Sequence, residues 1–283
     1  MLAAARFQQL LSKRMRFKLK ILPGVRREWL WVALQLVVFV TLFLVASFYV
    51  TSMPGRSYSG PIAQLSDGDL EVRERLRKHV STLAERIGER NVKHFESLKA
   101  SLEYIENSLK AEGFQVAEQK YSAGGKEVKN IESEILGTDR PEEIIIIGAH
   151  YDSVSGSPGS NDNASGVAAL LELAHNLKAF QPARTLRLVS FVNEEPPYFQ
   201  TEEMGSRVYS RRSHERGENI VAMISLETMG YYSDAENSQL YPFPFSLFYP
   251  SRGNFIGFVG NTSSRALVRR AIRKFRSADQ RSG

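Results

Sequence analysis

Between Trp29 and Val50 the chain runs for 22 residues without a charged side chain (WLWVALQLVVFVTLFLVASFYV), with Gln35 as the only strongly polar member. A helix of that length extends roughly 33 Å, close to the ~30 Å hydrocarbon core of a bilayer. A buried core helix usually has a shorter apolar run. A cleaved leader has an apolar stretch of only about 7–15 residues. Trp29, Trp31 and Tyr49 stand near the ends, where amphipathic rings settle at a membrane interface. The segment therefore reads as an uncleaved signal anchor. Ahead of it, residues 1–28 hold eight basic side chains (Arg6, Lys13, Arg14, Arg16, Lys18, Lys20, Arg26, Arg27) and one acid, Glu28. The excess of Lys and Arg on that side puts residues 1–28 in the cytoplasm and everything after Thr51 across the membrane, in a periplasmic or an extracellular or lumenal space.

The same block explains a misleading charge balance. The 283 residues carry a net charge of +6, yet those after residue 28 hold 29 basic and 30 acidic side chains. A nucleic-acid partner is thus not expected, because the basic excess is confined to one terminal block. With no cysteine, a disulfide scaffold and any thiolate metal site are excluded. Hydrophobic and charged shares of 42% and 24% are those of an ordinary globular chain.

Residues 51–66 (TSMPGRSYSGPIAQLS) have linker composition, so the folded domain is expected over 67–283. Asp67 or Asp69 is placed to cap a helix carrying Leu70, Val72, Leu76, Val80, Leu83 and Ile87, which Gly88 ends. Asn91 is placed to cap a second, with Phe95, Leu98, Leu102, Ile105 and Leu109 along one stripe. His79 and His94 read as ordinary solvated residues on these helices. Strands are expected over 114–121 and 127–136 around a Gly124-Gly125 turn, then over 143–148, 185–192, 220–226 and 255–259. Helices are expected over 164–180, 203–212 and 263–275, the last a basic, solvated one. Strand and helix alternating in this way imply an α/β sheet with right-handed crossovers.

Ligand sites in such sheets lie beyond the carboxyl ends of the strands. There the chain places His150-Tyr151-Asp152, then Asn193-Glu194-Glu195, then Glu227, while Asp162 follows in the loop after the first strand. Singly each residue has a plain structural explanation: a strand-end His is often only packed, and Asp162 is placed to cap the next helix. Their convergence on three consecutive strand ends, read as buried, is what points to chemistry. An imidazole with several carboxylates is a mixed N/O donor set that suits zinc. Asp152, two residues past His150, can accept the proton of the imidazole nitrogen that faces away from metal. Asp162 has two oxygens with which to bridge a metal pair, and of Glu194 and Glu195 one can reach metal and the other the metal-bound water.

These motifs resemble peptidase family M28, a group of zinc aminopeptidases: GAHYDSVSGSPGSNDNASG over 148–166, NEE over 193–195, Gly205-Ser206 opening a helix, and SLETMGYY over 225–232. The resemblance runs from about residue 95 to about residue 275. It implies a mixed, largely parallel sheet flanked by helices, the zinc-exopeptidase fold, here preceded by one transmembrane helix. It also implies two zinc ions: His150 and Glu227 on one, Asp162 bridging, Glu195 on the other, and Glu194 as general base acting on peptide substrates.

Two departures from the family pattern matter. Glu227 stands where the family usually has Asp, and no His follows it. His214, on an Arg-rich stretch, is a poor substitute. Three ligands from His150, Asp162 and Glu227 make one tight zinc site, and Glu195 with a shared oxygen of Asp162 makes a weak one. The pattern also fades after Phe275, so a chain lacking the family's C-terminal part is expected. Two other functions remain open on the sequence: an inactive, peptidase-like interaction domain, and an acyltransferase of the zinc-dependent glutaminyl-cyclase type. The stretch 195–205 is either a substrate-facing loop or an exposed connection. No GxSxG, phosphate-loop or dinucleotide signature is present.

Overall fold

The computed structural model describes residues 26–58, 60, 64–243 and 245–279. Among the described residues the first elements are α1 (Arg26–Thr51), then α2 (Asp67–Ser81), which runs on as a π-helical turn over Thr82–Ile87, and α3 (Phe95–Ala111). A hairpin of β1 (Ala117–Ala123) and β2 (Lys126–Ile135) follows. Strands and helices then alternate as β3 (Arg140–His150), α4 (Ser165–Leu177), β4 (Arg184–Phe191), α5 (Gly205–Glu215) and β5 (Asn219–Ser225), and α6 (Arg265–Asp279) is last. These elements fall into two compact units, the described residues up to 58 with 259–279, and residues 60–258. Most of the basic segment 1–28, and linker residues 59 and 61–63, lie outside the described residues.

In the first unit α1 is apolar around its whole circumference and exposed, and it is long and apolar enough to cross a membrane. Burial in lipid rather than in protein is what such a helix calls for. Three arginines of α6 are engaged, while Arg270 and Arg273 are exposed. Arg265 donates to Tyr49 O and stacks 3.9 Å from the Tyr49 ring, Arg269 donates to Ser52 O, and Arg276 donates to Pro54 O at 2.7 Å. Cations thereby meet carbonyls at and just past the C-terminal end of α1, which the helix itself cannot satisfy.

The second unit is built on a five-stranded sheet in the order β1-β2-β4-β3-β5. β1 with β2 and β2 with β4 are antiparallel, and β4 with β3 and β3 with β5 are parallel. β4 is central and buried along almost all its length, so both of its faces are covered. Leu188 and Val192 pack with Ile105 and Leu109 of α3 and Val167 and Leu171 of α4, whereas Val189 and Phe191 pack with Ile144, Ile146 and Tyr209 on the opposite face. The parallel register sets His150 beside Phe191 and Gly148 beside Ser225. The carboxyl ends of β3, β4 and β5 therefore emerge together along one edge.

Several expectations need correction. The cap of α2 is Ser66, whose hydroxyl receives the N–H of Asp69 while the Asp69 carboxylate receives the N–H of Ser66; Asp69 is the reciprocal partner in a capping box. Asn91 makes a turn ahead of α3, accepting from the N–H groups of Lys93 and His94, and the helix starts later. His79 is half-buried, with Nδ1 2.7 Å from the Tyr104 hydroxyl. Asp162 does not cap α4, whose N-cap residue is Ala164; the side chain that meets the helix start is Asn163, which accepts from Gly166 N at 3.0 Å. Residues 255–259 are irregular, and their apolar side chains stay exposed. β5 is an edge strand that is largely exposed, because β3 covers one side only.

Two consequences can be measured. Ile105, wholly buried between α3 and the sheet, leaves a cavity when truncated, and Ile105→Ala should lower stability by about 2–5 kcal/mol in denaturant melts. Arg75 grips Glu172 through two bonds of 2.8 and 2.7 Å and holds that carboxyl below its usual range. The folded-state value being depressed, the pair stabilises fully above the ordinary carboxylate range and fades as pH falls through the lowered value. Melts of Glu172→Gln should show a smaller loss of stability on acidification than those of the parent.

Candidate active site

Each strand end delivers its side chains by a specific local bond. Tyr151 N donates to Phe191 O at 2.9 Å, and Leu226 N donates to Gly148 O at 2.8 Å, so the pairing of β3 with its neighbours persists one residue beyond the strands. His150 ends β3, buried; Glu227 leaves β5 with its side chain 47% exposed. Asp162 sits in the loop Ser160–Ala164 that leads into α4. His150 Nε2 lies 3.1 Å from Asp162 Oδ1 and 3.4 Å from Glu227 Oε2. One ligand atom from each of the three falls within 4.8 Å of the others.

Those separations suit a cation. Donors held at 2.0–2.1 Å around a tetrahedral ion stand about 3.3 Å from one another, so each carboxylate oxygen already stands from His150 Nε2 at about the separation of two corners. His150 Nδ1 is buried and makes no hydrogen bond, although Asp152 Oδ1 is only 3.4 Å away. Burial disfavours a charged imidazole, but Asp152, Asp162 and Glu227 outweigh it and push the pKa of His150 up to about 12. A cation occupying the place of the Nε2 proton would meet the two acids on that side, Asp162 and Glu227, while Asp152 faces Nδ1. The donor set and its spacing thus fit a small four-coordinate metal ion.

Asp152 is buried, and its two oxygens receive the N–H groups of Glu194 and Glu195 at 3.2 and 3.1 Å. It ties the end of β3 to the segment after β4. Glu194 is in turn held by the start of α5, with Ser206 N donating to Oε1 at 2.6 Å and Ser206 Oγ to Oε2 at 2.8 Å. Burial pushes the Glu194 carboxyl up, against the Ser206 bonds. Close approach is needed here: a Cβ on Gly205 would stand 2.1 Å from Val192 O, so only glycine lets α5 begin at this point. Glu195 is raised by burial and by the charge of Asp162. Its carboxylate is not among the three grouped side chains that could hold a metal ion. It lines a cavity of about 300 Å³ with Asp152, Asn193, Pro196, Pro197 and Tyr198, so the first part of the 195–205 stretch is cavity wall. His214 lies exposed on α5.

Sequence reasoning passed over Arg90. Its side chain is 0% exposed and has no carboxylate partner, donating to Tyr151 O at 2.7 Å, Leu83 O at 3.1 Å and Gly159 O at 3.0 Å, as well as to Pro158 O. Burial pulls it down to about 10, with Asp152 and Asp162 opposing that shift. It anchors both ends of the loop 151–159 that separates His150 from Asp162. An arginine between a helix-stopping glycine and a turn carries no pattern that marks it as buried.

The family model described as peptidase family M28 matches residues 130–270, which include His150, Asp152, Asp162, Glu194, Glu195, Ser206 and Glu227 but not Arg90. The chain is 42% identical over 205 residues to protein YfbL of Escherichia coli (strain K12), a match covering 69% of this chain and 62% of that protein. It is 32% identical over 155 residues to leupeptin-inactivating enzyme 1 of Streptomyces exfoliatus, covering 52% of this chain and 35% of the other. With aminopeptidase YwaD of Bacillus subtilis (strain 168) it shares 37% identity over 90 residues, 32% of this chain and 18% of the other. It thus spans less than two thirds of the length of each of these relatives. With the sequence motifs, the strand-end geometry and these matches in agreement, the chain belongs to peptidase family M28.

Proposed function

We propose that the chain is a zinc-dependent aminopeptidase, held in a membrane by residues 29–50 with its N-terminus cytoplasmic, that removes amino-terminal residues from peptides on the far side. The observation that carries this reading is the placement of Asp162 Oδ1 and Glu227 Oε2 at 3.1 and 3.4 Å from His150 Nε2. The family and the aminopeptidase relative support it. His150, Asp162 and Glu227 would hold one zinc tightly with a fourth position open, and Glu195 with a second oxygen of Asp162 would hold another weakly. Bound there, zinc supplies Lewis acidity to the scissile carbonyl and makes the attacking water more acidic.

The chain's own residues do the rest. Glu194 takes the proton of the attacking water, since burial makes its carboxylate more basic than usual. Ser206 fixes both Glu194 oxygens in place, and Glu194 then returns the proton to the departing amine. Asp152 orients His150 from behind, and its bonds to Glu194 N and Glu195 N keep base and ligands in one frame.

The test is release of free amino acid from unblocked peptides by the full chain in detergent with added zinc. Cyclisation of an amino-terminal Gln instead, or no turnover at all, would overturn the reading. Glu194→Gln should lower turnover by about 10²-fold or more while zinc content holds, because an amide cannot accept the proton. His150→Ala should lose zinc. Ser206→Ala removes a bond that favours the charged carboxylate, which raises the Glu194 pKa further. The acid limb of its pH–rate profile should therefore move to higher pH than in the parent.

A further inference from the structure

Glu227 is the weakest-supported ligand, because it leaves an exposed edge strand. Two groups hold its carboxylate. Ser225 Oγ donates to Oε1 at 2.6 Å, and Asn163 Nδ2 donates to Oε2 at 3.0 Å, the same oxygen that faces His150. Asn163 is 0% exposed and directly follows Asp162 in the chain. Its other bonds all go to the neighbourhood of the same two ligands: Nδ2 donates to Leu226 O at 2.8 Å, and Oδ1 accepts from Gly166 N at 3.0 Å and Thr228 N at 3.3 Å. Two donors and two acceptor sites are the full capacity of a side-chain amide. Its orientation is also unambiguous. The groups facing Oδ1 can only donate and those facing Nδ2 can only accept, so a flipped amide would break all four bonds.

The neighbouring residues repeat the arrangement. Asn161 Oδ1 accepts from Gly230 N and Ser165 Oγ from Met229 N, each at 2.9 Å. Three alternate side chains, 161, 163 and 165, thus fasten the Asp162 loop to the stretch after β5. The two segments run so close that a Cβ on Gly166 would stand 2.4 Å from Leu226 O. Within this clasp only Asn163 touches a ligand carboxylate.

We propose that Asn163 is a positioning residue that aims Glu227 Oε2 at the metal and couples its place to that of Asp162. The inference rests on the zinc-site reading above. It explains how a longer acid is held in a defined geometry at an exposed strand end: the amide restrains the carboxylate through its own oxygen and through the backbone on either side.

The test is zinc affinity of the full chain in detergent, measured by competition with a chelator, in a double-mutant cycle of Asn163→Ala and Glu227→Ala. With Glu227 present, Asn163→Ala should weaken zinc binding about 10–100-fold. With Glu227 absent it should change affinity by less than about 2-fold, since there is nothing left to aim. An equal loss in both backgrounds would mean a general structural role and overturn the proposal, as would no loss in either. If Glu227→Ala alone leaves zinc affinity unchanged, the ligand assignment itself is wrong and the proposal falls with it, a result distinct from the other two. Should Asn163→Ala not fold, Asn163→Asp serves. It keeps the acceptor for Gly166 N and Thr228 N and removes the donor, so it should weaken zinc binding with Glu227 present and not weaken it with Glu227 absent. Weakening in both backgrounds would again overturn the proposal.

Discussion

Six acidic or basic groups crowd one edge of the sheet, and most carry the same sign. His150 is the only cation among Asp152, Asp162, Glu194, Glu195 and Glu227, and left to themselves those carboxylates would repel one another. The surrounding structure is an answer to that repulsion. Asp152 is met by two backbone N–H groups, Glu194 by the N–H and hydroxyl of Ser206 at the start of α5, and Glu227 by Ser225 and Asn163. Hydrogen bonds to the charged form favour ionisation without removing the charge. The residual attraction for a cation is what pushes the His150 pKa so far above its ordinary value.

This arrangement depends on strand register. A shift of β3 against β4 by one residue would turn His150 to the opposite face. The register is favoured because the two faces of β4 meet different partners, with Leu188 and Val192 toward α3 and α4, Val189 and Phe191 away, and Arg187 on that second face paired with Glu218. Chemistry at the sheet edge is thus underwritten by an ordinary hydrophobic core some residues away.

Strands with a continuous apolar run were legible in the sequence, and so were the ligand-type residues just beyond them. EIIIIG and the run ending at Val192 gave the position of His150 and of Glu194 and Glu195 within a residue or two. What could not be read was how each strand is covered. The apolar run at 220–226 looks like the others, yet pairing on one side only leaves it exposed, and nothing local in its sequence records the number of neighbours. The run at 255–259 has strand composition but no partner strand among the described residues. Side chains that work through the backbone were likewise hidden. Arg90, Asn130 and Asn163 are each almost wholly buried and bonded to carbonyls or amides far away in the chain, and Arg and Asn side chains ordinarily read as solvated. Asn130, for example, accepts from Val192 N and donates to Gly205 O, joining the end of β4 to the start of α5.

The three grouped side chains, His150, Asp162 and Glu227, therefore differ in how firmly they are held. His150 belongs to a strand with neighbours on both sides, and Asp162 to a loop whose approach is stitched down by Arg90 through Pro158 O and Gly159 O. Glu227 alone comes from an edge. Edge strands fray more readily than central ones, because half of their backbone groups face solvent. Binding a cation would restrain that edge by adding a bond between Glu227 and two better-held residues. Part of the free energy of binding must accordingly go into ordering β5 and the stretch that follows it, which reduces affinity relative to a site whose ligands are all pre-set. Side-chain bonds between 161–165 and 226–230 reduce this penalty by ordering the edge before any cation arrives.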